Sequence, residues 1–388
     1  MATLLDRTEQ TTRQRETGIT KRYSGEVVYM YAFDVAYEMT RQPVEFLLGE
    51  KTEPFTLGAS KRSPRHIFFY KPQMVKLPEV ERVGPHGPIK LERVVKLLPV
   101  GAISVTISVP FAVDHLEDLV VFHDLQLDTG SLANEVRQLA EDVRRELEAY
   151  YIRPVPKLME EEAYTVFCME APLTTSEGLP MTAENWLHAH RRQVAALLSQ
   201  ESDVRHLSRQ EAEENTVKYL SYYQNDLVVM DWDAALLVDE EPDFDETLYI
   251  MELANVQLAE LEAYDRMLDD ALDRAYRDLS RHPMRSRQRM MRDLKEIRID
   301  LARFSDELSN ITKFFGDWHL ARIYKSIAER FHLAEWHRTI DDKLKTLDGL
   351  YEIIKHDHTT RLMLILECTI VLLFIIDLFV LVLGLKGH

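Results

Sequence analysis

The sequence predicts an α+β chain: an N-terminal mixed α/β domain, then a long antiparallel helical coiled-coil stalk ending in one C-terminal transmembrane helix. Three observations predict it. Short apolar runs with period two or no period fill the first 240 residues. A 4-3 apolar repeat takes over from about Glu246. The last two dozen residues before the end are almost wholly apolar. Four segments follow: a disordered tail over 1–24, the mixed domain over 25–240, the stalk over 246–361 and the transmembrane helix over 362–385.

Val27–Ala32, His66–Tyr70 and Val120–Leu125 are short apolar runs that read as strands. Ile103–Val109 alternates with period two, the mark of a strand with one buried face. Val83–Pro88 (VGPHGP) holds two Gly and two Pro and reads as a turn or loop. Leu132, Val136, Leu139, Val143 and Leu147 recur at three and four, giving an amphipathic helix that ends near Tyr150 before Pro154 and Pro156. Tyr164–Met169 reads as a strand. Helical stretches follow at about Thr182–Gln200 and Ser208–Tyr222. Leu227–Met230 and Ala234–Val238 flank Asp231-Trp232-Asp233 as a strand or hairpin.

In the stalk, Ile250, Ala254, Gln257, Leu261, Tyr264 and Leu268 form a first stripe. Met290, Leu294, Ile297, Leu301, Phe304, Leu308, Ile311, Phe315 and Trp318 form a second, after a break at Pro283. A third helix is expected from Asp317 through Ile340, Leu344, Leu347, Tyr351 and Ile354 and on into the anchor. An ordinary bundle core would show the same spacing as a coiled-coil seam.

Leu362–Leu385 is 24 residues long, with Glu367 and Asp377 its only charges. As a helix it would rise roughly 36 Å, enough for a hydrocarbon core of about 30 Å. The N-terminus has neither an apolar stretch nor a cleavage site, so it is read as no signal peptide. The expected placement is single-pass and tail-anchored in the inner (cytoplasmic) membrane, with the N-terminal bulk in the cytoplasm. Glu367 and Asp377 would be membrane-embedded acids, either contacting a partner helix or tolerated with local water.

Composition excludes several classes. The chain has 388 residues, 13 Gly and 15 Pro, which rules out collagen-like and linker-like sequences. The formal net charge of −18 speaks against nucleic-acid binding through bulk charge. Cys168 and Cys368 make neither a disulfide framework nor a zinc site. The turn around Pro283 is the exception to the acidic balance. Arg281, Arg285, Arg287, Arg289 and Arg292 form a basic patch without an acid, suited to anionic lipid, to RNA or a ribosome surface, or to plain solvation.

Catalytic and cofactor motifs are absent from the sequence: there is no phosphate-binding glycine loop, nucleophile elbow or HExxH helix. His188 and His190 point about 200° apart on a helix and cannot share a metal. His356 and His358 precede the anchor and read as solvated. Asp231–Glu246 carries eight acids and no base, and reads as a solvated linker rather than a calcium loop. No cofactor and no catalytic residue is assigned, so the sequence lends an enzymatic role no support.

The C-terminal half resembles a known family. Glu252–Leu272, Phe315–Ile354, Leu366–Asp377 and Asn225–Asp239 are similar to the "required for meiotic nuclear division", or YagE-like, domain-of-unknown-function family. Its motif positions fall here on Asp231, Trp232, Asp233, Asn255, Tyr264, Asp265, Trp318 and Trp336, with Glu367 and Asp377 in the last helix. The resemblance implies membrane association, with relatives linked to mitochondrial translation or sporulation, and no catalytic residues.

The expected function is a non-enzymatic membrane-anchored scaffold or tether. It would present a partner-recognition domain on a stalk, as a homo-oligomer. Two alternatives stand beside it: an ion-transport-linked protein using Glu367 and Asp377, and an RNA or ribosome tether through the Arg281–Arg292 turn.

Overall fold

A computed structural model of the chain describes residues 22–40, 42–55, 72–155, 157–159, 161–175, 178–281, 295, 299 and 318–385. It divides into two units. The first holds residues 1–260 and 307–334, the second 261–306 and 335–388.

The first unit is built on a nine-stranded sheet. Its strands are β1 (Tyr23–Asp34), β2 (Glu53–Pro54), β3 (Gln73–Gly84), β4 (Gly87–Leu97), β5 (Ala102–Val113), β6 (Glu162–Glu170), β7 (Tyr219–Leu220), β8 (Leu227–Met230) and β9 (Ala234–Asp239). Their order across the sheet is β7-β8-β9-β6-β1-β5-β4-β3-β2. β6 and β9 run parallel, Thr165 opposite Ala234, and the other pairs are antiparallel. Among the described residues the α-helices are α1 (Leu132–Glu146), α2 (Ala183–Leu198), α3 (Arg209–Val217), α4 (Phe244–Arg281), α5 (Trp318–Arg330) and α6 (Leu333–Leu385).

Helices cover the central strands on both faces, which is why β1 reads as an unbroken apolar run. Val27, Tyr29, Tyr31 and Phe33 point into the larger core with α1 and α2. Ala32, from the opposite face, joins Tyr249, Leu253, Val256 and Ala259 of α4. Gly101 makes the turn into β5 with φ +95°, and its carbonyl accepts from the amides of Val35 and Ala36 at 3.0 Å. A Cβ there would lie 1.9 Å from the Ala36 carbonyl oxygen, so only glycine fits.

Most expected strands are present, and the VGPHGP segment closes the β3–β4 hairpin with Gly84 opposite Gly87. His66–Tyr70 lies outside the described residues. The run at Val120–Leu125 is not a strand. Leu116–Phe122 is a 3₁₀ helix, with Leu116, Leu119 and Phe122 buried at a spacing of three. The expected single third helix is two helices. Phe331 and His332 separate α5 from α6, and His332 takes φ +51°. α4 also differs from a one-striped stalk helix, because 249–261 is buried on every side between the sheet and its neighbours.

Two expectations are corrected here. Among the described residues, no helix is long and apolar enough to cross a membrane. The transmembrane helix at 362–385, the tail anchor and the single-pass inner-membrane placement therefore do not stand. The coiled-coil stalk is not shown either, since its second stripe before Trp318 lies outside the described residues.

Candidate functional site: a helix pinned along a sheet strand

In the first unit, α5 lies along β8 and is held at both ends. The matching lengths allow this. Twelve steps of helix from Trp318 to Arg330 rise about 18 Å. Five strand steps from Asp226 to Asp231 rise about 17 Å. One helix end thus meets Asp226 and the other Asp231. Leu320, Ile323, Tyr324 and Ile327 form the buried face of α5 at helical spacing. Midway, the Tyr324 hydroxyl donates to Gln257 Oε1 of α4 at 2.6 Å.

At the first end, the buried Asp226 carboxylate organises the loop before β8. It accepts from the amides of Tyr222 at 3.0 Å and Tyr223 at 2.5 Å. The Ser221 hydroxyl lies at 3.4 Å, and His319 Nε2 of α5 at 3.9 Å. The Tyr222 ring packs on His319 with centroids 5.4 Å apart and on Tyr223 at 4.8 Å. Trp318 beside them is 76% exposed.

At the second end, the β8–β9 turn presents Asp231, Trp232 and Asp233. The turn closes through the Asp231 amide, which donates to the Ala234 carbonyl at 2.8 Å. The Tyr164 hydroxyl donates to the Asp231 carbonyl at 3.1 Å, and Arg330 Nη1 stands 3.5 Å from Asp231 Oδ1. Phe331 is buried edge-on against Tyr164 at 5.1 Å. Trp232 leans on His332 at 5.6 Å and on Phe331 at 6.4 Å, and stays 46% exposed.

Two titrating groups, Asp233 of the turn and His123, influence one another here. Burial raises the Asp233 carboxyl above its ordinary value; Asp231 adds to the rise and His123 opposes it. Burial lowers His123, against the Leu197 hydrogen bond and Asp233. His123 Nε2 lies 2.6 Å from the Leu197 carbonyl, which can only accept, so that nitrogen carries the proton.

The arrangement is a surface rather than a reaction centre. Tyr222, Tyr223, Trp232 and Trp318 are all more than 45% exposed and are carried by a rigid helix–strand pair. Exposed Trp and Tyr on a fixed scaffold are the residue types that dominate protein interfaces.

The remaining expected site residues are dispersed. Asn255 is buried on α4 and donates to the carbonyls of Met30 at 3.3 Å and Glu162 at 3.0 Å, joining β1 to β6. Tyr264 is half-buried on α4. Asp265, with Asp269, pairs with Lys343 of α6 at 2.7 Å within the second unit. Trp336 is half-buried on α6. Arg281 is the last residue of α4; Arg285, Arg287, Arg289 and Arg292 lie outside the described residues. Glu367 is exposed on α6, and the Asp377 side chain lies outside the described residues. His188 contacts Arg191 at 3.0 Å, whereas His190 reaches the Trp186 carbonyl at 2.9 Å and stacks on that indole. The pair does not converge. The acidic run Asp231–Glu246 is largely turn, strand and helix start rather than a linker. Tyr222, Tyr223, His319 and Arg330 were not legible in the sequence, since no motif links them.

No solved structure matches the chain. A protein of Methanocaldococcus jannaschii described only as uncharacterized protein MJ0711 is 27% identical over 160 residues, covering 41% of this chain and 50% of that relative. The chain thus spans about half the length of the relative it matches. The domain resemblance is therefore to a family of unknown function, and the meiotic and YagE-like names are not shown. Residues 24–245 match the family described as the N-terminal domain of uncharacterized protein MJ0711, and the chain belongs to that family.

Proposed function

We propose that this protein is a non-enzymatic scaffold whose α/β unit recognises a protein partner through the surface carried by α5 and β8. The supporting observation is the pinning of α5 at both ends, which holds Tyr222, Tyr223, Trp232 and Trp318 exposed on a rigid element. Large, stiff aromatic side chains lose little conformational entropy on docking. The resemblance of Glu252–Leu272 and Phe315–Ile354 to the meiotic-nuclear-division family supports a role of this non-catalytic kind. That finer family placement is part of the proposal.

The test is crosslinking and affinity purification of the full chain beside its Tyr222→Ala and Trp232→Ala variants. The proposal expects one stoichiometric protein partner, lost at least tenfold in either variant while the melting temperature holds. A partner retained equally by both variants would overturn it.

A further inference from the structure

The helix breaks at His332 where the local sequence supplies no breaker. From Trp318 to Asp348 there is neither Gly nor Pro, and good helix formers prevail. Yet α5 ends in a turn. The Phe331 amide donates to the Ile327 carbonyl at 2.9 Å and the His332 amide to the Glu329 carbonyl at 3.3 Å, with His332 at φ +51°. Glycine is the usual residue at that place, because a side chain there crowds the carbonyl that follows. α6 then starts at Leu333, with His332 where a Ser, Thr, Asp or Asn would cap it. In one continuous helix the last carbonyls of α5 would accept from the first amides of α6.

Contacts on either side of the break bear on it differently. Before it, Phe331 follows Ile327 by four residues as Ile327 follows Ile323, and all three are buried. Phe331 therefore keeps its place on the buried face of α5 if the helix runs on. After it, Lys343 of α6 stands 2.7 Å from Asp265 and from Asp269 of α4 within the second unit. Ile340, Leu344 and Leu347 of α6 are buried, as are Leu268, Ala271 and Ala275 of α4. Turning His332 to the helical φ of about −63° re-aims everything that follows it, so α6 leaves the α4 of its own chain. Opening gives up the Trp232–His332 ring contact and the burial of Leu333 at the junction.

We infer that two copies of this chain dimerise by exchanging α6. In the dimer each α6 runs straight on from its own α5 and packs on α4 of the other copy, where Lys343 meets Asp265 and Asp269 as before. The exchanged contacts are the same ones, so their burial cancels between the closed and the exchanged forms. The balance rests on the junction and on chain concentration: strain at His332 is relieved twice in every dimer, the situation in which short strained hinges invite swapping. This goes beyond partner recognition by the α/β unit and stands separately, because α5 stays on β8 in both forms.

The full chain is purified in a non-ionic detergent, which keeps the exposed apolar end of α6 from aggregating, and its mass is followed by light scattering over a concentration series. Monomer and dimer are expected, in slow exchange. His332→Gly and His332→Ala both remove the ring that meets Trp232, but only Gly is at ease at positive φ. The dimer of the Gly variant should therefore be weaker than that of the Ala variant by about tenfold or more. Charge reversal then separates exchange from ordinary association. Lys343→Glu alone, or Asp265→Lys/Asp269→Lys alone, sets like charges together. Mixed, they pair opposite charges in both halves of an exchanged dimer, so the heterodimer should exceed either homodimer by about tenfold. A dimer formed without exchange gains nothing from mixing. A monomer mass at every concentration, equal dimers from the Gly and Ala variants, or no excess of heterodimer would each overturn the inference. The mass of the unmodified chain decides the matter even if a variant fails to fold.

Discussion

Arg330, the last residue of α5, stands 3.5 Å from Asp231 in the β8–β9 turn, so an ion pair ties the end of the helix to the turn that carries Trp232. Both side chains are largely but not wholly withdrawn from water. Their coupling in a double-mutant cycle of Asp231→Asn and Arg330→Gln should be about 1 kcal/mol by urea unfolding. It should shrink in 1 M salt. Additive variants would show that the contact holds nothing.

Asn255 is a stronger anchor. Its amide bridges carbonyls of two neighbouring strands from inside the core. Replacing it with Leu leaves both carbonyls without this donor and should cost about 2–3 kcal/mol in the free energy of urea unfolding. A loss below about 0.5 kcal/mol would mean that the strands do not depend on the bridge.

The Glu252 carboxylate on α4 is buried against β4 and β5. It takes Lys96 as an ion-pair partner and accepts from Ser104 at 2.6 Å and Thr106 at 3.3 Å. Lys96 also lies 4.4 Å over the Phe55 ring. Lys96→Met strands a buried carboxylate and should destabilise by about 3–5 kcal/mol. The double variant Lys96→Met/Glu252→Leu should regain most of that loss. A double variant as unstable as the single would disprove this account of the pair.

The pH dependence has a definite sign at His123. Its folded value lies below the unfolded one of about 6.5 because burial disfavours the cation. Between the two values the unfolded chain binds more protons, so this stability is present above pH about 6.5 and is lost as pH falls below it. Asp233 runs the other way. Its folded value is raised, so it favours the fold when protonated and penalises it as pH rises past that value. His123→Gln keeps a donor for the Leu197 carbonyl and removes the titration. Its urea midpoint should fall less than that of the unmodified chain between pH 7.5 and pH 5.5. Parallel curves would exclude His123 as the titrating group.

Local patterns alone determined much of the first unit. The run from Val27, the alternation at Ile103–Val109, the three-and-four spacing of Leu132–Val143 and the Asp231–Asp233 hairpin are all written in neighbouring residues, because strand pleat and helix turn impose their periods directly on the chain. The apolar character of the last helix was equally plain. Tertiary structure decided the rest. Leu116–Phe122 became a 3₁₀ helix since its buried residues recur at three, a spacing hidden within a continuous apolar stretch. The break at His332 lets α5 fold onto β8, a choice that no residue next to it announces. The surface of Tyr222, His319, Trp232 and Arg330 exists only because a helix rise and a strand rise match in length. Those residues are distant in the chain, and sequence periodicity carries no record of contacts made across that distance.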